Sequence, residues 1–303
     1  MELPLEEILL KTKNVVIKAG EKVKEAFKSR EIINSSVEDK ESNPTDLVTA
    51  VDKEVENYIF SSLKELFPSF LLIGEETVSA SESKKVILTD TPTWVIDPID
   101  GTMNFVHGFP FVCICVGLVV KKEPVLGIVY NPILDEMYTG IKGKGSFMND
   151  KKLPLIQNTP LKSLQRCLFI TEYGYFLGQN ELDIKVSNAK SMLSLPSQVR
   201  SLGSCAMDMC QIAKGSADFY FEIGIHTWDL AAATVILRES GGIVVGYKRP
   251  KGIDNNIQIA DEPFDLNGRK VLCIRGVIEG KEYQSKMLGE VRERLKDCEI
   301  ESD

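Results

Sequence analysis

Apolar side chains at Leu5, Leu9, Val16, Ala19, Val23 and Phe27 recur at spacings of three, four or seven, with lysines and glutamates between them. That period draws one apolar stripe along a helix and predicts an amphipathic helix over residues 5 to 29. A polar stretch from Asn34 to Pro44 leads to a second helical pattern through Val48, Val51, Val55, Ile59, Leu63 and Leu66, which Pro68 ends. Phe70 to Ile73, closed by Gly74, and Thr93 to Ile96 are brief apolar runs that each deliver acidic residues at their C-terminal ends. Phe111 to Val120, Pro124 to Tyr130 and Glu136 to Thr139, separated by KKE and NPILD, predict an antiparallel meander. A basic, glycine-rich loop from Lys142 to Gly145 follows.

Beyond about residue 150 strands and helices alternate. Strand patterns at Cys167 to Thr171, Gln198 to Ser201, Asp218 to Glu222 and Ile243 to Tyr247 bracket helical ones at Glu181 to Leu193, Cys205 to Lys214 and Asp229 to Ser240. Such alternation predicts an α/β unit with its sheet covered by helices. The change of pattern puts a soft boundary near residue 155, at LPLIQNTPL, which divides the chain into residues 1–155 and 156–303.

Composition narrows the functional classes. With 43% hydrophobic and 26% charged residues, the 303-residue chain has the balance of a soluble globular protein. Its longest apolar run, Phe111 to Val120, is closed off by Lys121 and Lys122, too short for a membrane span. Glu2, Glu6 and Glu7 stand where a secretory signal needs basic residues, so a cytoplasmic protein is expected. A net charge of -8 is the wrong sign for broad attraction to nucleic acid. Seven scattered cysteines without a CxxC pair point to reduced thiols, and Cys113, Cys115 and Cys273 read as small core residues. His107 and His226 are the only histidines, so any metal is expected on oxygen ligands.

The densest chemistry lies in WVIDPIDGTMNF, residues 94 to 105. Asp97 and Asp100, three apart with Pro98 between them, repel each other unless a cation intervenes, which suits magnesium. Gly101 and Thr102 then open a short helix whose free N–H groups suit a phosphate. DPIDG alone also fits a turn. Glu75 and Glu76 could bridge to the same metals. Asp229 beside Trp228 starts a helix, where it also fits an N-cap, and Asp52 completes a capping box that begins at Thr49.

Taken together, PTDLVTAVD (44–52), IGEE (73–76), TDTPTWVIDPIDGTMNFVHGFPF (89–111), GIVYNP (127–132), RSLGSCA (200–206) and EIGIHTWDLAAA (222–233) resemble the inositol monophosphatases. These belong to a magnesium-dependent, lithium-sensitive phosphatase superfamily. The resemblance implies a layered αβαβα sandwich of the inositol monophosphatase and fructose-1,6-bisphosphatase type. It implies two to three magnesium ions, with lithium as inhibitor, a myo-inositol monophosphate as substrate, and a homodimer.

Carried onto this chain, the resemblance makes Glu75, Asp97 and the carbonyl of Ile99 ligands of a first metal and Asp97, Asp100 and Asp229 ligands of a second. A weaker third ion would share Glu75. Asp52 and Thr102 would orient the attacking water, and Gly101 and Thr102 would hold phosphate oxygens. Gly203, Ser204, Cys205 and Glu222, with Asp100, would face the inositol ring. Ser204 and Cys205 stand where relatives often carry threonine and alanine. His107 gets no catalytic role, and His226 and Trp228 read as packing.

No GxSxG, Walker or GxGxxG pattern occurs, so serine-hydrolase, nucleotide-triphosphatase and dinucleotide chemistry lack their minimal signals. A relative acting on bisphosphate nucleotides or sugar phosphates, or a catalytically silent homologue, would share DPxDGT. EIGIHTWD disfavours the first of these and the full set of carboxylates the second.

Overall fold

Helices α1 (Leu5–Lys28) and α2 (Ala50–Leu66) form where the apolar stripes predict them. The structure, a computed structural model, describes residues 3–29, 38–39, 47–48, 50–83, 85–156, 160–174, 178–252, 254, 257–277 and 279–300. Thr49, and with it the expected capping box, lies outside the described residues. Two short strands, β1 (Glu38–Asp39) and β2 (Leu47–Val48), pair antiparallel ahead of α2.

The first large sheet contains β3 (Leu71–Gly74), β4 (Thr93–Asp100), β5 (Cys113–Val120), β6 (Glu123–Asn131), β7 (Glu136–Ile141), β8 (Gly145–Met148) and β9 (Lys151–Lys152), in that spatial order. Helix α3 (Glu75–Ser79) follows β3, and α4 (Thr102–His107) follows β4. Only β3 and β4 run parallel; the rest is the expected meander, extended by a β8–β9 hairpin.

The second sheet has the order β11-β10-β12-β14-β13, built from β10 (Leu168–Thr171), β11 (Gln198–Arg200), β12 (Phe219–Ile223), β13 (Ile243–Val245) and β14 (Lys270–Ile274). Its helices are α5 (Gln179–Leu193), α6 (Cys205–Lys214), α7 (Thr227–Glu239) and α8 (Lys281–Arg294).

Alternation along the strands sorts side chains into layers. Trp94, Ile96, Ile114, Val116 and Leu118 turn toward α1 and α2, against Val16, Val23, Val55 and Ile59. Val95, Cys113, Cys115 and Val119 turn the other way, onto α6 and α7, which also receive Ile170, Tyr220 and Cys273 from the second sheet. The outer face of the second sheet, with Phe169, Phe219 and Phe221, is covered by α5 and α8 through Met192, Met287 and Leu288. The layers therefore read αβαβα, as the resemblance implies. Helices α6 and α7, from the C-terminal half, form the filling between both sheets.

Helix α7 approaches the first sheet unusually closely. Gly117, Gly127 and Gly140 form a row across β5, β6 and β7. A Cβ on Gly127 would come within 2.2 Å of the Ala232 carbonyl oxygen, so bare backbone is what lets the helix settle there. The Lys142–Gly145 loop is fastened to the far end of this helix. Gly143 N and Gly145 N donate to Glu239 Oε1 and Oε2 at 2.8 and 2.7 Å. Asp229 lies ten residues earlier, about 15 Å along the axis. The loop thus stands away from the carboxylates, not over them.

Among the described residues no helix is long and apolar enough to cross a membrane.

Candidate active site

Two carboxylates three residues apart on a regular strand would point to opposite faces. Strand β4 continues through Asp100, so DPID is strand rather than turn, but its register against β5 shifts between Asp97 and Asp100. Pro98, which has no N–H for a sheet ladder, falls within the irregularity, a place in a sheet that tolerates proline. The result brings both aspartates to the α6/α7 side.

Asp229 joins them from α7. The helix begins at Thr227 with His226 as its N-cap, which puts Asp229 on the third helical residue instead of at the cap. The His226 N–H donates to Asp229 Oδ2 at 2.7 Å. Carboxylate oxygens of Asp97, Asp100 and Asp229 lie within 4.8 Å of one another.

Asp100 is anchored from the opposite wall. Its Oδ2 accepts from Ser204 Oγ and Ala206 N, both at 2.7 Å, at the start of α6. Glu75 opens α3, whose first turn is tied to α2: Glu76 N and Thr77 N donate to Glu56 Oε2 and Oε1 at 2.8 and 3.0 Å. Gly101 has φ 90°, and a Cβ there would lie 3.1 Å from the Gly203 carbonyl oxygen. Glycine therefore lets the turn at Gly101 approach the loop at Gly203. Asn104 clamps the same junction, its Nδ2 donating to Phe111 O at 2.9 Å and Leu202 O at 2.7 Å.

These groups line one cavity of about 350 Å³. Glu75, Asp97, Ile99, Asp100, Gly101, Thr102, Gly203, Ser204, Cys205, Glu222 and Asp229 all border it. Asp52 is buried in the first turn of α2 and does not, and Glu76 is buried away from the cavity. Thr102 Oγ1 donates to Ile99 O at 3.2 Å.

Sequence reasoning missed Glu172 and Asn104 on the lining. Glu172 follows β10 and accepts from Ser201 Oγ at 2.7 Å and Leu202 N at 2.5 Å, holding the loop before Gly203. Its only signal was an acid just past a strand end. His226 and Trp228 also border the cavity, stacked with centroids 4.5 Å apart and planes 8° from parallel. They pack together as expected, yet they pack as a wall of the site.

No lysine or arginine is among the described lining residues. Burial and then Glu75, Asp100 and Asp229 push the Asp97 carboxyl well above its ordinary range. Burial also raises Asp100 to about 6 and Asp229 well up, the latter next through Asp100. Oδ1 of Asp97 is buried without a hydrogen-bond donor. An all-oxygen set of mutually repelling carboxylates with an unanswered acceptor fits a hard divalent cation.

Glu222 is raised to about 8 by burial and then by Glu172, against the opposing pull of Lys185 and the Tyr220 hydroxyl. Tyr220 donates a hydrogen bond to it.

Raised carboxyl pKa values mean that the folded, metal-free protein holds protons more tightly than the unfolded chain. Their contribution to stability is complete below the ordinary values of 3.8 for Asp100 and 4.5 for Glu222. It is lost as pH rises through about 6 and about 8 respectively. Thermal melting of chelator-treated protein should therefore show a midpoint that falls across this window, and magnesium should flatten the slope. A midpoint that rises across it would contradict the electrostatics.

Comparison with known proteins identifies the family. The model of the inositol monophosphatase family matches residues 5–296. The chain is 45% identical over 256 residues to inositol monophosphatase 1 of Bos taurus, a match covering 84% of each chain. The chain belongs to the inositol monophosphatase family. Among solved structures, the extragenic suppressor protein suhB from Bartonella henselae shares the fold with a TM-score of 0.76 at 24% identity, covering 94% of this chain and 98% of that one. A Thermotoga maritima IMPase gives 0.72 at 26% identity, over 95% and 98%. Membership makes the chain a phosphatase of a metal-dependent family, and the acidic cluster is where its residues could hold metal.

Proposed function

We propose that this chain hydrolyses myo-inositol monophosphates to myo-inositol and phosphate with magnesium as cofactor. The observation that carries the reading is the meeting of Asp97, Asp100 and Asp229 within 4.8 Å in a cavity that also reaches Gly101, Thr102 and Glu222. Glu75, Asp97 and the Ile99 carbonyl would hold one magnesium; Asp97, Asp100 and Asp229 would hold another, and a third would share Glu75. When bound, magnesium supplies positive charge that acidifies a water and neutralises phosphate oxygens.

The protein's own groups position the reactants. N–H groups of Gly101 and Thr102 hold phosphate oxygens at the start of α4. The Thr102 hydroxyl orients the attacking water, and Asp52, buried in α2 and off the cavity, acts behind it and not on the water itself. Gly203, Ser204 and Cys205, steadied by Glu172 and Asn104, form the face against which the ring rests, with Asp100 beside it. The stacked pair His226 and Trp228 limits water access from the α7 side.

Inorganic phosphate released from inositol 1-phosphate, compared with a bisphosphate nucleotide and a sugar bisphosphate, tests the substrate class. Inositol 1-phosphate should be preferred, and lithium inhibition should deepen as its concentration rises. Preference for a bisphosphate would overturn the reading. A cytoplasmic homodimer completes the proposal; a sedimentation mass near that of one chain would remove the dimer.

Glu222 gives a finer test. A site built to pair hydroxyls rejects ligands that lack them. Glu222→Gln should lower kcat/KM on inositol 1-phosphate roughly tenfold more than on glycerol 2-phosphate, the worth of about one charge-assisted hydrogen bond. The magnesium requirement should stay unchanged. Because the wild-type carboxyl ionises and the amide does not, the deficit should grow as pH is raised. Equal losses on both substrates would assign Glu222 to the metal cluster or the fold.

A further inference from the structure

Strand β5 carries two thiols directly beside the carboxylate cluster. Its register sets Cys115 opposite Asp97 and Cys113 opposite Asp100. Residues two apart share a strand face, and both cysteines belong to the α6/α7 side. Cys113 Sγ lies 3.6 Å from Cys115 Sγ, 3.9 Å from Asp100 Oδ2 and 3.8 Å from Ser204 Oγ. One ligand atom from each of Asp100, Cys113 and Cys115 falls within 4.8 Å of the others.

Those separations match a specific coordination geometry. Around a tetrahedral zinc, with Zn–S of about 2.3 Å and Zn–O of about 2.0 Å, two sulfurs stand about 3.8 Å apart and a sulfur stands about 3.5 Å from an oxygen. The Cys113–Cys115 and Cys113–Asp100 spacings differ from these by a few tenths of an ångström, and Cys115 and Asp100 also bring ligand atoms within 4.8 Å of each other. The sequence hides the set, because the cysteines are not a CxxC pair and their carboxylate partner comes from another strand.

We propose that Asp100, Cys113 and Cys115 form a binding site for a thiophilic divalent cation, zinc above all, with Ser204 Oγ or a water as fourth ligand. Zinc and the proposed catalytic magnesium then compete for Asp100. The hard oxygen cluster suits magnesium, whereas two sulfurs favour zinc strongly over it. Asp100 and Ser204 border the cavity, so a cation entering there meets Cys113 immediately behind them. On ligation each thiol gives its proton to solvent, two protons per zinc, and no oxidation is involved. The consequence is inhibition by zinc at saturating magnesium. That consequence rests on the phosphatase reading; the binding site itself does not.

The test starts with the full wild-type chain, treated with chelator and freed of it. Cobalt(II), a spectroscopic stand-in for zinc, should give near-ultraviolet thiolate-to-cobalt charge-transfer absorption that saturates at a single equivalent and is displaced by zinc. Absence of that absorption overturns the site without any assay of phosphate release. Cys113→Ala and Cys115→Ala should abolish or weaken the band while leaving magnesium-driven turnover unchanged. They should also raise the zinc needed for half-inhibition at least about tenfold, the loss expected for removing a zinc ligand. Unchanged zinc sensitivity in folded variants would place inhibitory zinc on the carboxylates alone and overturn the proposal. If the variants do not fold, the wild-type cobalt spectrum still decides it.

Discussion

Asp100→Asn will lower turnover at saturating magnesium by at least ~10³ while leaving the fold intact, because a metal and its positioned water supply several kcal/mol of transition-state stabilisation. The amide is nearly isosteric, so its oxygen can still accept from Ser204 Oγ and Ala206 N, the two donors that now fix Oδ2 at 2.7 Å. Its NH2 group would then take the other carboxylate position and present hydrogens where a cation needs an anionic oxygen. Removing one of three crowded charges also relieves repulsion with Asp97 and Asp229, so the metal-free variant should melt no lower than wild type. A folded variant that keeps near-normal turnover would remove Asp100 from the metal assignment.

The second large effect lies outside the cavity. Gly127→Ala places a Cβ 2.2 Å from Ala232 O, 2.8 Å from Ala232 C and 3.0 Å from Ala232 Cα. All three atoms are backbone, so no flexible side chain can swing away and α7 itself must lift. Overpacking of this kind costs typically 1–3 kcal/mol and occasionally more, so a loss of about 3 kcal/mol is expected. Because α7 carries Asp229, turnover should fall together with stability. Gly143→Ala makes the control: φ is +80° there but nothing lies within 4 Å, so only about 1 kcal/mol of backbone strain is expected, with turnover preserved. Equal stabilities for the two variants in denaturant unfolding would mean that the glycine row does not govern the seating of α7.

The parts of the molecule legible in the sequence are those that depend on local period. The two amphipathic helices and the meander follow from side chains at three-four or alternate spacing, and α6 was bounded at Cys205 and Lys214. DPID was ambiguous because aspartate, proline and glycine suit a turn as readily as an irregular strand. Pairing with β5, set by residues beyond position 112, decided for the strand. The structure starts α7 two residues before Asp229, because Asp229 is a preferred N-cap type whereas His226, which caps the helix, is not.

The candidate site divides along the same line. Its carboxylates could be named because each follows or opens an element recognisable from a short motif. Glu56, Glu172 and Asn104 could not, because they act by gripping backbone 20, 30 and 98 positions away in sequence. The two thiols of β5 looked like core filling for a related reason. One strand's pattern does not reveal which residues of its neighbour stand opposite.

A crystal soaked in manganese, which takes magnesium's oxygen ligands and scatters anomalously, decides whether the three aspartates hold metal. An anomalous peak is expected among the carboxylates of Asp97, Asp100 and Asp229, with further density at Glu75. An unliganded cluster under conditions where manganese supports phosphate release, with the ion bound elsewhere, would contradict it.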